Sequence, residues 1–243
     1  MEGLLAWLKE PVVGKVIFAK NCSLSIRSKV LVQVAGSHGK ELEFVQVNSS
    51  PRTSIQGKGY GEGDLICQAL SKSEVLRASS EFIKVTGKLF MPDAAIVFTG
   101  AGDGEFFDVG RNVGKVFPTR QFLGPVYRSP ILGSVMSAAR KCHVPWEWIA
   151  AVPSGWIDTR CYRCEIGLYR ESLLDSHKRV QDALGYTLEN AIFDDLQESE
   201  PIRRIMSAPI IVGVSGTLGT KTGSFSEDIR REASDLTDRL LSN

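Results

Sequence analysis

Long apolar runs are missing from this sequence. The longest, at 149 to 153 and 209 to 214, fall far short of the roughly 20 residues that a membrane-spanning helix requires. No bilayer-crossing helix is expected. Excess charge is missing as well: 29 Lys and Arg stand against 28 Asp and Glu, leaving +1 with histidine neutral. That balance lacks the basic footprint of a nucleic-acid-binding domain, so no nucleic-acid partner is expected. Cysteine is scarce and odd in number, with five residues at 22, 67, 142, 161 and 164, which argues against a disulfide framework and for reduced thiols. Cys161 and Cys164 form one CxxC, but zinc needs four ligands, and Cys142, His143 and His177 lie at no recognised zinc spacing. Structural thiols are expected. Internal repeats and low-complexity tracts are also absent. The opening "MEGLLAWLKEP" has an acid at position 2, a short apolar core and no small-residue cleavage site. It does not read as a secretory signal, and a cytoplasmic location is expected.

What is present is apolar material in quantity. A chain of 243 residues, 43% hydrophobic and 23% charged, suffices for one large α/β domain or two small ones. "KVIFAKN" at 15 to 21 and either "VLVQVAG" at 30 to 36 or "LEFVQVN" at 42 to 48 read as strands, being β-branched and ending in Asn or Gly. A helix is predicted over Asp64 to Leu76, entered through the glycine-rich "GKGYGEG" and with Glu62 and Asp64 near its first turn. "FIKVTGKLF" at 82 to 90 and "AAIVFTG" at 94 to 100 follow as strands. Residues 100 to 130, rich in Gly, Phe, Arg and Pro, form a stretch too long for an ordinary connection and read as a lid or binding loop. Beyond it come a helix at 131 to 142, the strand-like "WEWIAAVP", the motif "WIDTRCY" at 156 to 162 and a helix from about 166 to 184. "GYTLENAIFDDLQE" is a further helix, "PIIVGVSG" a strand and "TLGTKTG" a loop. A terminal amphipathic helix at 226 to 241 carries Ile229, Ala233, Leu236 and Leu240 on one face. This order predicts a single α/β domain with a central mixed sheet, helices on both faces, and residues 100 to 130 over the sheet's C-terminal edge.

Four segments carry candidate chemistry. In "GKGYGEG" (57 to 63), four glycines ahead of a helix N-terminus let backbone N–H groups approach an anion; the bland alternative is a flexible loop with a solvated Lys58. The spacing is not that of a dinucleotide fingerprint, which excludes a Rossmann NAD site. In "IDTRCY", Asp158 and Arg160 emerge together, as an internal ion pair or as a grip for phosphate. In "GYTLENAIFDDL", Glu189 with Asp194 and Asp195 supplies either a base with a helper carboxylate or a solvated acidic helix. "GVSGTLGTKTG" (213 to 223) departs from a triphosphate loop, because Thr220 stands where glycine must precede Lys221. Ser215, Gly216, Thr217 and Lys221 there form a candidate anion or acceptor loop.

The segments "GKGYGEG", "LICQALSKSEVL", "FIKVTGKLF", "IDTRCY", "GYTLENAIFDDL" and "PIIVGVSGT", taken in that order, resemble bacterial sugar transferases that build capsule, O-antigen and related surface polysaccharides, with the GT-A nucleotide-sugar transferase fold. The likeness covers about two thirds of the chain and leaves out residues 100 to 150. It implies one glycosyltransferase domain over 1–243, with a nucleotide-sugar-binding half at 1–100 and an acceptor and catalytic half at 131–243. Donor binding then falls to Lys58, Gly59, Tyr60, Gly61, Glu62, Lys84, Thr86, Gly87 and Arg160.

GT-A enzymes mostly carry an Asp-x-Asp element after this glycine segment and helix, holding a divalent ion against the donor diphosphate. Here the strand reads Lys84-Val85-Thr86-Gly87-Lys88, so the resemblance implies Lys88, helped by Lys84 or Lys58, as a fixed cation in place of the metal. Alternation puts Lys84, Thr86 and Lys88 on one strand face; a lysine pair that discourages edge aggregation is the alternative. No cofactor is implied, and Asp103 and Asp108 are the alternative ligands for a divalent ion. Glu189 takes the place of the general base on the acceptor hydroxyl, with Asp158 as rival. Asn190 stands where a second acid is usual, which leaves inverting and retaining chemistry both open. The implied partners are a nucleotide-sugar donor and a glycan or lipid-linked acceptor, met at the inner face of the cytoplasmic membrane through "LLAWL" or Arg203 and Arg204. A nucleotidyltransferase acting on sugar phosphates and a noncatalytic anion-binding scaffold are the competing classes.

Overall fold

Two parallel strands cannot be joined by a tight turn, and this decides how the first part of the chain folds. In the computed structural model, which describes residues 2–21, 27–86, 89–100, 102–108, 157–182, 186–196, 202–205, 210–214 and 221–241, strand β1 (Lys15–Lys20) runs parallel to β2 (Glu41–Gln46). Lys15 lies opposite Glu41 and Lys20 opposite Gln46. The crossover contains helix α2 (Arg27–Ser37). Of the two alternatives for the second strand, "LEFVQVN" carries β2 and "VLVQVAG" lies in that helix. Its β-branched residues are overridden because Leu31 and Ala35, one turn apart, bury against Leu42 and against Leu4, Leu5 and Leu8 of α1 (Glu2–Lys9). Ala233 and Leu236 close the same cluster from α9 (Glu227–Leu241), so the terminal amphipathic helix is present with its expected inner face.

A mixed four-stranded sheet carries the order β3-β6-β5-β7, formed by Glu81–Val85, Ile157–Glu165, Gly104–Asp108 and Ile202–Ile205. β6 runs antiparallel to β3 and β5, while β5 and β7 are parallel. Flanked on both sides, β6 is buried along nearly all its length. Phe106 stacks on its Tyr162 at 5.1 Å between ring centroids. A third, antiparallel sheet joins β4 (Leu89–Phe90), β8 (Val212–Val214) and β9 (Lys221–Thr222). The chain is thus mixed α/β as expected, but among the described residues its strands form three small sheets and not one central sheet.

Between β2 and β3 lie α3 (Thr53–Gln56), α4 (Lys58–Lys72) and α5 (Glu74–Arg77). "AAIVFTG", expected as a strand, contains the short helix α6 (Ala94–Val97). The single helix expected over 166 to 184 is broken into one α-helical turn, α7 (Ile166–Leu168), a π-helical turn (Tyr169–Leu173) and a 3₁₀ turn (Ser176–Arg179). Helix α8 (Leu188–Leu196) follows, as the sequence led one to expect, with Leu188, Ile192 and Phe193 in the main core beside Tyr60, Ile66 and Tyr162. The helix expected at 131 to 142, the strand at 146 to 153 and the part of the long loop beyond Asp108 lie outside the described residues.

Candidate functional site

Thr159 is the junction of the site. It sits near the start of β6, before the first residue that β3 pairs, Cys161 opposite Val85, and it is itself buried. Its carbonyl oxygen accepts a hydrogen bond from Lys84 Nζ, and its hydroxyl donates to Glu189 Oε1 at 2.9 Å. Four stretches far apart in sequence meet here: β3 with Lys84 and the Thr86 that follows it, α4 with Glu62, β6 with Asp158 to Arg160, and α8 with Glu189.

Lys84 is almost enclosed, with 9% of its side chain exposed. Besides Thr159 it donates to Glu62 Oε1, as an ion pair, and to Thr86 Oγ1 at 2.9 Å. Thr86 in turn donates to Glu62 at 3.3 Å. The ammonium also lies 5.8 Å from the centroid of the Tyr162 ring. This satisfies all three ammonium protons, as a buried cation requires. The face shared by Lys84 and Thr86 is the one that strand alternation predicted, but the cation is already matched by a carboxylate of its own chain.

Asp158 and Arg160 form the second pair. The Asp158 carboxylate, 7% exposed, accepts from Arg160 Nε at 3.0 Å and from Nη2 at 2.5 Å. It also accepts from the Arg160 backbone N–H at 2.9 Å. Hydrogen bonding to Asp158 holds the guanidinium pKa above its usual value against the opposing effect of burial, and the Glu189 charge adds to it. Arg160 is 41% exposed, and its Nη1 has no bonding partner among the described residues. Asp158 is thus occupied as a counter-ion, which weakens it as a rival base.

Glu189 lies in the first turn of α8, partly buried. Burial pushes its carboxyl above the ordinary glutamate value, and the charge of Glu62 adds to the push. Its own backbone N–H and the hydroxyls of Thr187 and Thr159 pull the other way. Asp194 and Asp195, expected as helper carboxylates, face elsewhere. Tyr186 donates to Asp194 at 2.6 Å, and Asp195 takes Ser176 at 2.5 Å together with an ion pair to Arg179.

The expected anion loop at 57 to 63 is absent. Residues 58 to 63 form the first turns of α4, preceded by Gly57 at φ +102°. The glycines serve close packing. A Cβ on Gly59 would stand 3.1 Å from the Leu188 backbone nitrogen and 3.2 Å from Val180 Cγ1, and one on Gly63 would overlap His177 Cβ. The helix N-terminus also has a ligand from its own chain, since Gly59 N–H donates to Asp182 Oδ2 at 3.0 Å. Tyr60 is buried against the His177 ring, and Lys58 is exposed. Of the predicted donor-binding set from this segment, only Glu62 joins the cluster around Thr159.

The remaining candidates separate from it. Gly87 and Lys88 lie outside the described residues, as do Ser215, Gly216 and Thr217; Lys221 falls in β9 and not in a loop. Leu4, Leu5, Ala6, Trp7 and Leu8 are all buried, and Trp7 Nε1 donates to Leu89 O at 2.9 Å. "LLAWL" therefore offers no apolar side chain to a membrane surface. Arg203 turns inward to Glu105, Val97 O and Thr99. Among the described residues no helix is long and apolar enough to cross a membrane, and no three His, Cys, Asp or Glu side chains gather as a metal site. Cys161 and Cys164 are free and enter different core clusters, and burial pushes both thiols up to about 12.

An open cleft of about 520 Å³, lined by Asp64, Cys67, Arg170, His177 and Lys178 among others, lies on a different face of α4 from Glu62. Its Cys67 thiol is pushed up to about 12 by burial, so it holds no thiolate nucleophile.

Thr159 itself lay inside the "IDTRCY" motif, but hydroxyl-to-carboxylate pairing across 30 residues has no periodic signature in sequence. The chain matches no protein-family model and no curated protein.

Proposed function

We propose that the protein is a glycosyltransferase that moves a sugar from a nucleotide-activated donor to a hydroxyl of a surface-glycan precursor. The observation that carries this reading is the hydroxyl of Thr159 holding Glu189 next to the outward-facing Arg160. A carboxyl raised above its usual range and partly buried suits a general base on an acceptor hydroxyl. The open Nη1 edge of Arg160 suits a phosphate oxygen of the donor, with Asp158 fixing the plane of the guanidinium.

Lys84 has a different role from the one its sequence position suggested. Enclosed and neutralised by Glu62, it organises the strand ends and leaves contact with the donor to Arg160. Metal-independent chemistry in this reading rests on Arg160 as the cation that meets the donor diphosphate. Glycan or lipid-linked alcohols are the acceptors this reading requires.

The test is a panel of nucleotide sugars incubated with the protein, with and without lipid-linked acceptors, following nucleotide release. Acceptor-dependent release that survives a chelator supports the reading. Consumption of a nucleoside triphosphate with pyrophosphate release would assign a nucleotidyltransferase instead. Binding without turnover, unaltered in Glu189→Gln, would assign a scaffold.

A further inference from the structure

Glu62 and Glu189 are joined by a continuous chain of contacts. Glu62 holds Lys84, Lys84 donates to the carbonyl of Thr159, and the hydroxyl of the same Thr159 donates to Glu189. Thr86, bonded to both Glu62 and Lys84, fixes the near end. Each link is between groups that are buried or half-buried, where charges act on one another with little screening.

We infer that Glu62 and Lys84 are positioning residues, acting through Thr159, that govern when Glu189 holds a proton. The inference rests on Glu189 as the base of the proposed reaction, but the arrangement itself is independent of which substrate is used. Glu62 carries a like charge toward Glu189, and Lys84 carries the opposite charge while fixing the peptide whose hydroxyl binds the carboxylate. The two members of the pair therefore act on Glu189 in opposite senses.

Among the described residues, the charged groups nearest Glu189 come from three elements. α4 contributes Glu62, β3 contributes Lys84 through Thr159, and β6 contributes Asp158 and Arg160. From the 3₁₀ turn, Arg179 reaches a different part of α8, bonding Ala191 O and Asp195. The neighbouring Asp158–Arg160 pair is internally neutral and stays intact in either substitution below.

The experiment is a carbon-13 NMR titration of the glutamate side-chain carboxyls in the intact protein, with the Glu189 signal assigned by its loss in Glu189→Gln. Glu62→Gln keeps the acceptor oxygen for Lys84 and removes the charge; the Glu189 midpoint is expected to fall by about half a unit or more. Lys84→Met removes the cation and releases Thr159; the midpoint is expected to rise. Shifts in opposite directions support the inference. No shift in Glu62→Gln, or shifts in the same direction in both, overturns it. Should Lys84→Met fail to fold, Glu62→Gln decides alone. Because the titration needs no substrate, it is read separately from turnover: opposed shifts with no nucleotide-sugar activity would leave the coupling and remove the proposed reaction, and turnover without shifts would do the reverse.

Discussion

The hydroxyl of Thr159 donates to Glu189 Oε1 at 2.9 Å while the carbonyl of the same residue holds Lys84. One strand residue thus fixes both a carboxyl with a raised pKa and the ammonium that neutralises Glu62.

Thr159→Val keeps the shape and deletes the donor. Loss of that hydrogen bond, which pulls the Glu189 carboxyl down, moves the acid limb of the pH-rate profile to higher pH, and Thr159→Ser restores it. The stability cost is about 1–3 kcal/mol, because a buried acceptor loses its partner. Chemical denaturation and a pH-rate profile check both.

Glu189 also makes the wild type pH-sensitive. Its folded pKa lies above the ordinary 4.5, so the folded state binds the proton more tightly than the unfolded chain, and stability falls as pH rises from 4.5 through the folded value. Glu189→Gln lacks that titration. It is expected to melt at a higher temperature than the wild type at pH 7, with the gain shrinking toward pH 4.5. Thermal melts across that range test it.

Glu105 behaves in the opposite sense. Burial pushes its carboxyl up, but hydrogen bonds from Arg203, from the Gly100 and Thr99 N–H groups and from the Thr99 hydroxyl outweigh it and hold the pKa below 4.5. Its stabilisation is complete above the unfolded value and is lost as pH falls through the folded one. With Glu105 fully buried between Arg203 and Arg163, Glu105→Ala costs about 3 kcal/mol or more at pH 7. The difference from the wild type narrows in acid, which urea titrations at two pH values measure.

Two glycines give a paired test of packing. Gly63→Ala drives a methyl group onto His177 and costs about 1–3 kcal/mol. Gly36→Ala, in α2 with nothing within 4 Å of the added carbon, stabilises by about 0.5–1 kcal/mol. Equal effects at both positions would show that α4 does not pack as described.

The contrast between those glycines also marks what could be read from the sequence. The run of glycines at 57 to 63 has the composition of a phosphate loop. What accompanies its helical form is the approach of Val180, Asp182 and Leu188 to within contact of Gly59, a tertiary fact that no local pattern carries. "VLVQVAG" likewise has strand propensity, yet it lies in a helix because β1 and β2 are parallel. By contrast, the common face of Lys84 and Thr86 follows from strand alternation, and a helix is legible in "GYTLENAIFDDLQE", whereas "IDTRCY" reads only as a motif and its place in the buried β6 comes from the strands on either side of it. The partnership of Lys84 with Glu62 has no sequence signature, because it joins the first turns of a helix to a strand 22 residues away and no local period links the two.

The central claim, that Glu189 takes the acceptor proton, is tested most directly by steady-state turnover of Glu189→Gln against the wild type with a nucleotide sugar and acceptor that the wild type uses. The account predicts a kcat lower by about 100-fold or more, with the donor KM little changed because Arg160 is untouched. A kcat equal to that of the wild type would contradict it.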